Sequence, residues 1–275
     1  LTDNNLIQTK VDSLIDILEG CGKVLVCFSG GVDSSLLMVA AKKALGNNLL
    51  AATAVSETLT KKEVQRAKEL ALMYGVEHLI IKTNELEYRP FIENTAERCY
   101  HCKYLRLSKL KEVAAGKGMV LIEGSNADDA FAYRPGMKAV QHFKVLSPLR
   151  EVNLTKKEVR HIAKLWGIPT WNEPSQSCLA TRIPYGEKIT LERLQLINRA
   201  EDFLEKLGFT NVRVRHHRDI ARIEVAPSQL HELVSKGKYI SLQLKKMGFT
   251  YVTADLDGFN SGSMDRKLTR TEDGL

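Results

Sequence analysis

A short apolar run, Lys23 to Phe28 (KVLVCF), passes directly into Ser29-Gly30-Gly31-Val32-Asp33-Ser34 and then into a helical pattern over 34–45. A buried strand that feeds a glycine turn and a helix N-terminus opens a β-α-β unit. The rhythm continues. Leu49 to Val55 reads as a second strand, and Thr60 to Tyr74 as a helix opened by a Thr60/Glu63 capping box. Val76 to Lys82 reads as a third strand, Cys99 to Ala115 as a helix with Leu107, Leu110 and Val113/Ala114 on one face, and Met119 to Glu123 as a fourth strand. A second capping box, Thr155/Glu158, opens a helix ending near Trp166. Strands alternating with helices predict an α/β fold with a parallel sheet covered on both faces. Ligands of such sheets bind beyond the carboxyl ends of the strands. That directs attention to 29–34, Ser56 to Thr58, and Gly124 to Asp129.

The rhythm breaks at Gly167 to Glu187, which holds Pro169, Pro174 and Pro184 and no clear periodicity. A loop of that length is usually functional. Beyond it, a helix over Thr190–Leu207, strands near Val212–Arg215 and Arg222–Val225, a helix after Pro227 and a strand near Tyr251–Ala254 predict a small α+β domain. The expected division is a nucleotide domain over 1–168, a cysteine-bearing loop or linker over 169–188 and the small α+β domain over 189–275.

With 275 residues the chain can bury a core without staples. Its apolar runs fall far short of the roughly 18 residues that cross a bilayer, so no membrane partner is expected. The first ten residues, LTDNNLIQTK, lack the apolar stretch of an export signal, which predicts a cytoplasmic protein. Five cysteines, an odd number, then read as reduced thiols. The net charge of +7 is concentrated: residues 98–118 carry six Lys/Arg against one Glu. So local a charge does not make a nucleic-acid surface, and such a partner is not expected.

Two glycines allow a tight turn and close approach, the helix N-terminus presents N–H groups and a positive dipole end, and Ser29 and Ser34 add hydroxyls. The loop lacks the GK[ST] of a Walker motif. SGGVDS after the first strand resembles the PP-loop of the N-type ATP pyrophosphatases, a superfamily with an adenine nucleotide alpha hydrolase-like fold that includes NAD and GMP synthetases and several tRNA thiolases. The resemblance implies ATP and Mg²⁺, attack of a substrate oxygen on the α-phosphate, and release of pyrophosphate. It assigns Ser29, Gly30, Gly31, Asp33, Ser34, Ser56 and Asn126 to ATP, with Asp33 near Mg²⁺.

Cys99 and Cys102 form a CxxC that would share a helix face, and Cys178 stands in the proline-rich loop. By spacing alone the CxxC fits a redox pair, a zinc half-site, an iron–sulfur half-site or coincidence. Cys27, inside a buried strand, reads as a small apolar group, and Cys21 as part of a Gly-Cys-Gly turn. SGGVDS, the stretch Gly124 to Ala139, SPLREV at 147–152, SCLATRIPYG at 177–186 and VRVRHHRDIARIE at 212–224 together resemble the LarE family. These are ATP-dependent sulfur transferases that mature the nickel-pincer nucleotide of lactate racemase. The resemblance implies adenylation of the carboxylates of pyridinium-3,5-biscarboxylic acid mononucleotide and their conversion to thiocarboxylates. In one branch a single cysteine, here Cys178, gives up its own sulfur. In the other, three cysteines, here Cys99, Cys102 and Cys178, hold a [4Fe–4S] cluster with an extra sulfide. The added CxxC points to the second branch. A sulfide or other sulfur donor would be needed to recharge it.

Arg213 and Arg215 alternate in a strand, so they share a face, as a phosphate clamp would require. The resemblance gives them the substrate phosphate. It associates Glu201, Glu224 and Glu232 with a divalent metal. Arg182, four residues after Cys178, is expected to face the adenylate or the cluster. His216 and His217 read as solvent-facing or supporting groups. The resemblance also implies a homo-oligomer, a trimer or hexamer. A tRNA thiolase with the same loop and three cysteines is the competing enzyme, and a non-catalytic metal–nucleotide binding module the competing class.

Overall fold

The structure, a computed structural model, describes residues 2–130, 135–174 and 177–260. Residues 131–134 of the stretch after Gly124, 175–176 of the proline-rich loop and 261–275 of the C-terminal domain lie outside the described residues.

The chain divides into two compact units, 1–85 with 99–176, and 86–98 with 177–275. The division falls within the proline-rich segment, between 176 and 177, and 86–98 joins the second unit.

The first unit carries β1 (Val24–Cys27), β2 (Leu49–Val55), β3 (Glu77–Lys82) and β4 (Val120–Ile122) in the spatial order β3-β2-β1-β4, all parallel. The order reverses between β1 and its neighbours, which is where open α/β sheets bind ligands. Period-two alternation splits the strand residues between two cores. Val24, Val26, Leu49 and Ala51 pack with Leu36, Leu37 and Met38 of the Val32–Leu45 helix. Leu25, Leu50, Ala52 and Leu121 pack with Leu107, Leu110 and Ala114 of the Arg98–Gly116 helix. Both capping boxes are present, at Thr60/Glu63 and Thr155/Glu158. An additional helix, Thr2–Cys21, precedes β1 and buries Leu14 and Leu18. Cys21 therefore ends a helix, its thiol donating to the Ile17 carbonyl at 3.2 Å, rather than lying in an isolated turn.

The second unit pairs β5 (Arg213–His217) with β6 (Ile220–Glu224) antiparallel, and β6 with β7 (Tyr251–Ala254) parallel. The Leu191–Lys206 helix contributes Ala200 and Leu204 to its core, beside Val212, Val214, Ile223 and Phe249. No helix among the described residues is long and apolar enough to cross a membrane.

Candidate active site

The phosphate loop takes the form its sequence requires. Gly30 has φ +73°, a conformation that disfavours a side chain. Gly31 caps the Val32–Leu45 helix without any side-chain hydrogen bond. The N–H groups that a helix start leaves unpaired are therefore not consumed by the cap. Ser34 Oγ donates to the Gly31 carbonyl at 3.1 Å and lies 3.1 Å from Ser29 Oγ, which ties the loop to itself. Gly124, just beyond β4, presses on the loop from behind: a Cβ there would stand 3.0 Å from Ser34 N.

Asp33 sits in the first helical turn, where the helix dipole favours a carboxylate. Asn126 Nδ2 donates to its Oδ1 at 3.1 Å, and Lys156 forms an ion pair with its Oδ2. Asn126 also accepts from Asp128 N at 3.0 Å, while Asp129 accepts from Asn126 N at 3.1 Å. The 124–129 segment is thereby folded onto the phosphate loop. Lys156 has no signature in the sequence, yet the fold delivers this cation from 123 residues away to a loop without a Walker lysine.

Beyond β2, Ser56 Oγ lies 2.9 Å from Thr58 Oγ1. Arg106 donates to Thr58 Oγ1 at 2.7 Å and to Glu85 Oε1 at 2.7 Å. Glu85 is fully buried. Burial pushes its carboxyl up, but Arg106 and the hydrogen bonds outweigh it and hold the group below the ordinary range. Glu123, at the end of β4, resembles it. Its carboxylate accepts from Lys103 at 3.0 Å, from Ser125 Oγ at 2.9 Å and from Ser147 Oγ. The net effect is again a lowered pKa, against burial. Neither Glu85 nor Glu123 stands out in the sequence. Lys103, Arg106 and Lys109, half of the six cations over 98–118, each have a carboxylate partner.

Cys99 and Cys102 lie one turn apart on the Arg98–Gly116 helix, the first exposed and the second half-buried. The Cys102 thiol donates to Glu85 Oε1 at 3.7 Å. Cys178 caps a short 3₁₀ turn, Leu179–Arg182, in the second unit. All five cysteines are free thiols. Thiol donors suit an iron–sulfur cluster. Among the described residues, however, there is no group of three or more His, Cys, Asp or Glu able to hold a metal ion. Cys27, by contrast, has its thiol pushed up to about 12 by burial and by Glu123.

In the second unit Arg182, Glu201, Arg213, Arg215 and Glu224 are buried. Arg182 is 4% exposed and bonds Glu201 through Nε at 3.0 Å and Nη2 at 3.1 Å. Its Nη1 donates to the Ser177 and Cys178 carbonyls. It turns toward the backbone of the Cys178 turn, where the sequence suggested a ligand-facing group. Glu201 also accepts from Val214 N at 2.9 Å. Arg215 donates to Glu224 Oε2 at 2.7 Å and to the Thr181 carbonyl at 3.2 Å. Arg222 lies opposite Arg215 across the strand pair, and Glu224 accepts from both, which relieves the like-charge contact. Arg213 donates to the Val212 carbonyl and its guanidinium lies 5.2 Å from the Phe259 ring. Glu232 pairs with Lys236 on the surface, so Glu201, Glu224 and Glu232 are each engaged by cations and do not gather as a metal group. His216 is buried, not solvent-facing, and burial lowers its pKa.

The sheet, the glycine loop and the acidic first turn together define a nucleotide-binding enzyme of the PP-loop class. The sequence pattern of the asparagine synthase family matches residues 12–188, well over half of the chain. An uncharacterised protein of Synechocystis is 39% identical over 269 residues, covering 96% of this chain and 100% of that protein. The pyridinium-3,5-bisthiocarboxylic acid mononucleotide synthase of Lactiplantibacillus plantarum is 35% identical over 268 residues, 97% of each chain. A glutamine-hydrolysing GMP synthase of Lactobacillus delbrueckii is 27% identical over 228 residues, 74% of this chain and 43% of that one. The chain belongs to the LarE family of ATP-dependent sulfur-transferring enzymes.

Proposed function

We propose that this protein adenylates the carboxylates of pyridinium-3,5-biscarboxylic acid mononucleotide and converts them to thiocarboxylates. The observation that carries the reading is the phosphate loop, backed by Gly124, in a chain 35% identical over 97% of its length to a synthase of the bisthiocarboxylic acid product. A carboxylate oxygen attacks the α-phosphorus of ATP, the bond to pyrophosphate breaks, and an acyl-adenylate forms. Sulfide sulfur then attacks the acyl carbon and AMP leaves with the oxygen. The leaving pyrophosphate would be held by loop N–H groups, Ser29 and Ser34, while Asp33 would hold Mg²⁺ and Asn126 keep Asp33 oriented. Ser56, beyond β2, would contact the adenosine part of ATP. Arg213 and Arg215 supply the charge for the substrate phosphate.

For sulfur delivery, Cys99, Cys102 and Cys178 are proposed as ligands of a [4Fe–4S] cluster. When bound, a cluster with three protein ligands leaves one iron open to present sulfide. Two thiols on one helix face support this reading. The competing reading, in which Cys178 surrenders its own sulfur, is separated from it by the mass of Cys178 after reaction. A homo-oligomer, a trimer or hexamer, in the cytoplasm completes the proposal.

The test is incubation of purified protein with Mg²⁺-ATP and the biscarboxylate nucleotide. Pyrophosphate and AMP release that depends on the nucleotide is expected. Release stimulated by tRNA and not by the nucleotide would support the thiolase instead.

A further inference from the structure

Arg182 and Glu201 have no solvent to face and no role as free charges. Their side chains are 5% and 9% exposed and form a doubly bonded pair. Such a pair is costly to bury and is retained only where its remaining donors and acceptors are used. Here they are used on one object. The two N–H groups of Arg182 Nη1 are shared among acceptors of the same turn: the Ser177 carbonyl, the Cys178 carbonyl at 2.8 Å, Ser177 Oγ at 3.0 Å and Thr181 Oγ1 at 3.1 Å. Arg215 adds a bond to the Thr181 carbonyl. Glu201 in turn is anchored to the sheet by Val214 N. The turn bearing Cys178 is therefore bolted to β5 through a guanidinium and a carboxylate.

We infer that Arg182 and Glu201 are positioning residues that fix the backbone of Cys178, and through it the direction of its sulfur, for the transfer step. This rests on the sulfur-transfer reading above. It also gives Glu201 a role other than metal ligand, since both its oxygens are engaged by Arg182 and one by Val214 N. Misplacement of a reacting group by about 1 Å costs on the order of 10²-fold in rate. The pair acts on the turn and not on the phosphate loop. Loss should therefore fall on sulfur transfer far more than on pyrophosphate release.

The experiment compares wild type with Arg182→Lys and with the double variant Arg182→Met/Glu201→Gln. The double variant leaves no uncompensated charge, and its new amide oxygen can still accept from Val214 N, so it keeps the proposal testable if Arg182→Lys fails to fold. Three quantities are read: pyrophosphate release, sulfur incorporated into the nucleotide, and the iodoacetamide alkylation rate of Cys178 by peptide mass spectrometry. The expected result is sulfur incorporation reduced about 10²-fold, pyrophosphate release reduced much less, and a changed Cys178 alkylation rate. A folded variant with normal sulfur incorporation and normal alkylation overturns the inference. So does an equal loss of both half-reactions. If wild type shows neither half-reaction with this nucleotide, the functional reading fails, while the alkylation comparison still decides whether the pair positions Cys178.

Discussion

Three strands of the parallel sheet, β1, β2 and β4, contain no charged residue, whereas β5 and β6 bury Arg213, Arg215 and Glu224. In the first unit, apolar strands make a rigid platform and the polar groups stand on loops beyond their ends. The candidate phosphate site there is built from backbone: a left-handed glycine, a cap without a side-chain hydrogen bond, a helix N-terminus. In the second unit the polar groups are themselves part of the core. The difference shows two ways to pre-organise a site. One uses conformations only glycine adopts easily; the other uses ion pairs whose partners over-determine a turn.

Several substitutions would break or sharpen that contrast. Glu224→Ala should have the largest effect on stability, because it leaves Arg215 buried without its carboxylate and Arg222 opposite it. A loss of about 3–5 kcal/mol is expected from urea unfolding. Leu37→Ala tests the apolar platform. The side chain is fully buried, and about 2–5 kcal/mol should be lost. An outcome in which Leu37→Ala is severe and Glu224→Ala is mild would erase the contrast. Thr60→Ala removes the cap bond to Glu63 N and should cost about 1 kcal/mol without changing nucleotide chemistry. Asp33→Asn should be smaller still in stability, within about 1 kcal/mol for a partly exposed pair, yet should abolish most Mg²⁺-dependent pyrophosphate release.

Acid offers a comparison within both units. His78 and His216 have pKa values lowered first by burial, with nearby Lys68 and Arg193 adding to the effect. A histidine whose pKa is depressed on folding binds fewer protons in the native state. Its contribution is fully present above the unfolded value of about 6.5 and is lost as pH falls through the folded value. Unfolding measured between neutral and mildly acidic pH should therefore show declining stability, less steep in a His216→Asn variant.

Much of the first unit was legible in the sequence. The strand-SGGVDS-helix passage and both capping boxes depend on neighbours a few residues apart, so local pattern sufficed. The Thr2–Cys21 helix was also legible in principle: Ile7, Val11, Leu14 and Leu18 recur at helical spacing, hidden by the polar residues between them. The ion pairs were not. Glu85 meets Arg106 across 21 residues, Arg182 meets Glu201 across 19, and Asp33 meets Lys156 across 123. Such partners are chosen by the completed fold, and each residue alone looks like an ordinary surface charge. The same holds for 86–98, whose Asn94 Nδ2 bonds the Pro184 and Glu187 carbonyls and so ties that segment to the second unit.

The most direct measurement is mass spectrometry of nucleotide and protein after one reaction with Mg²⁺-ATP, the pyridinium biscarboxylate nucleotide and sulfide, using anaerobically purified protein. Sulfur-for-oxygen exchange in the nucleotide, with Cys178 keeping its mass, is the expected result. Dehydroalanine at position 178 would contradict delivery of sulfur by a cluster. Pyrophosphate release with no sulfur gained by the nucleotide would contradict the sulfur-transfer function itself.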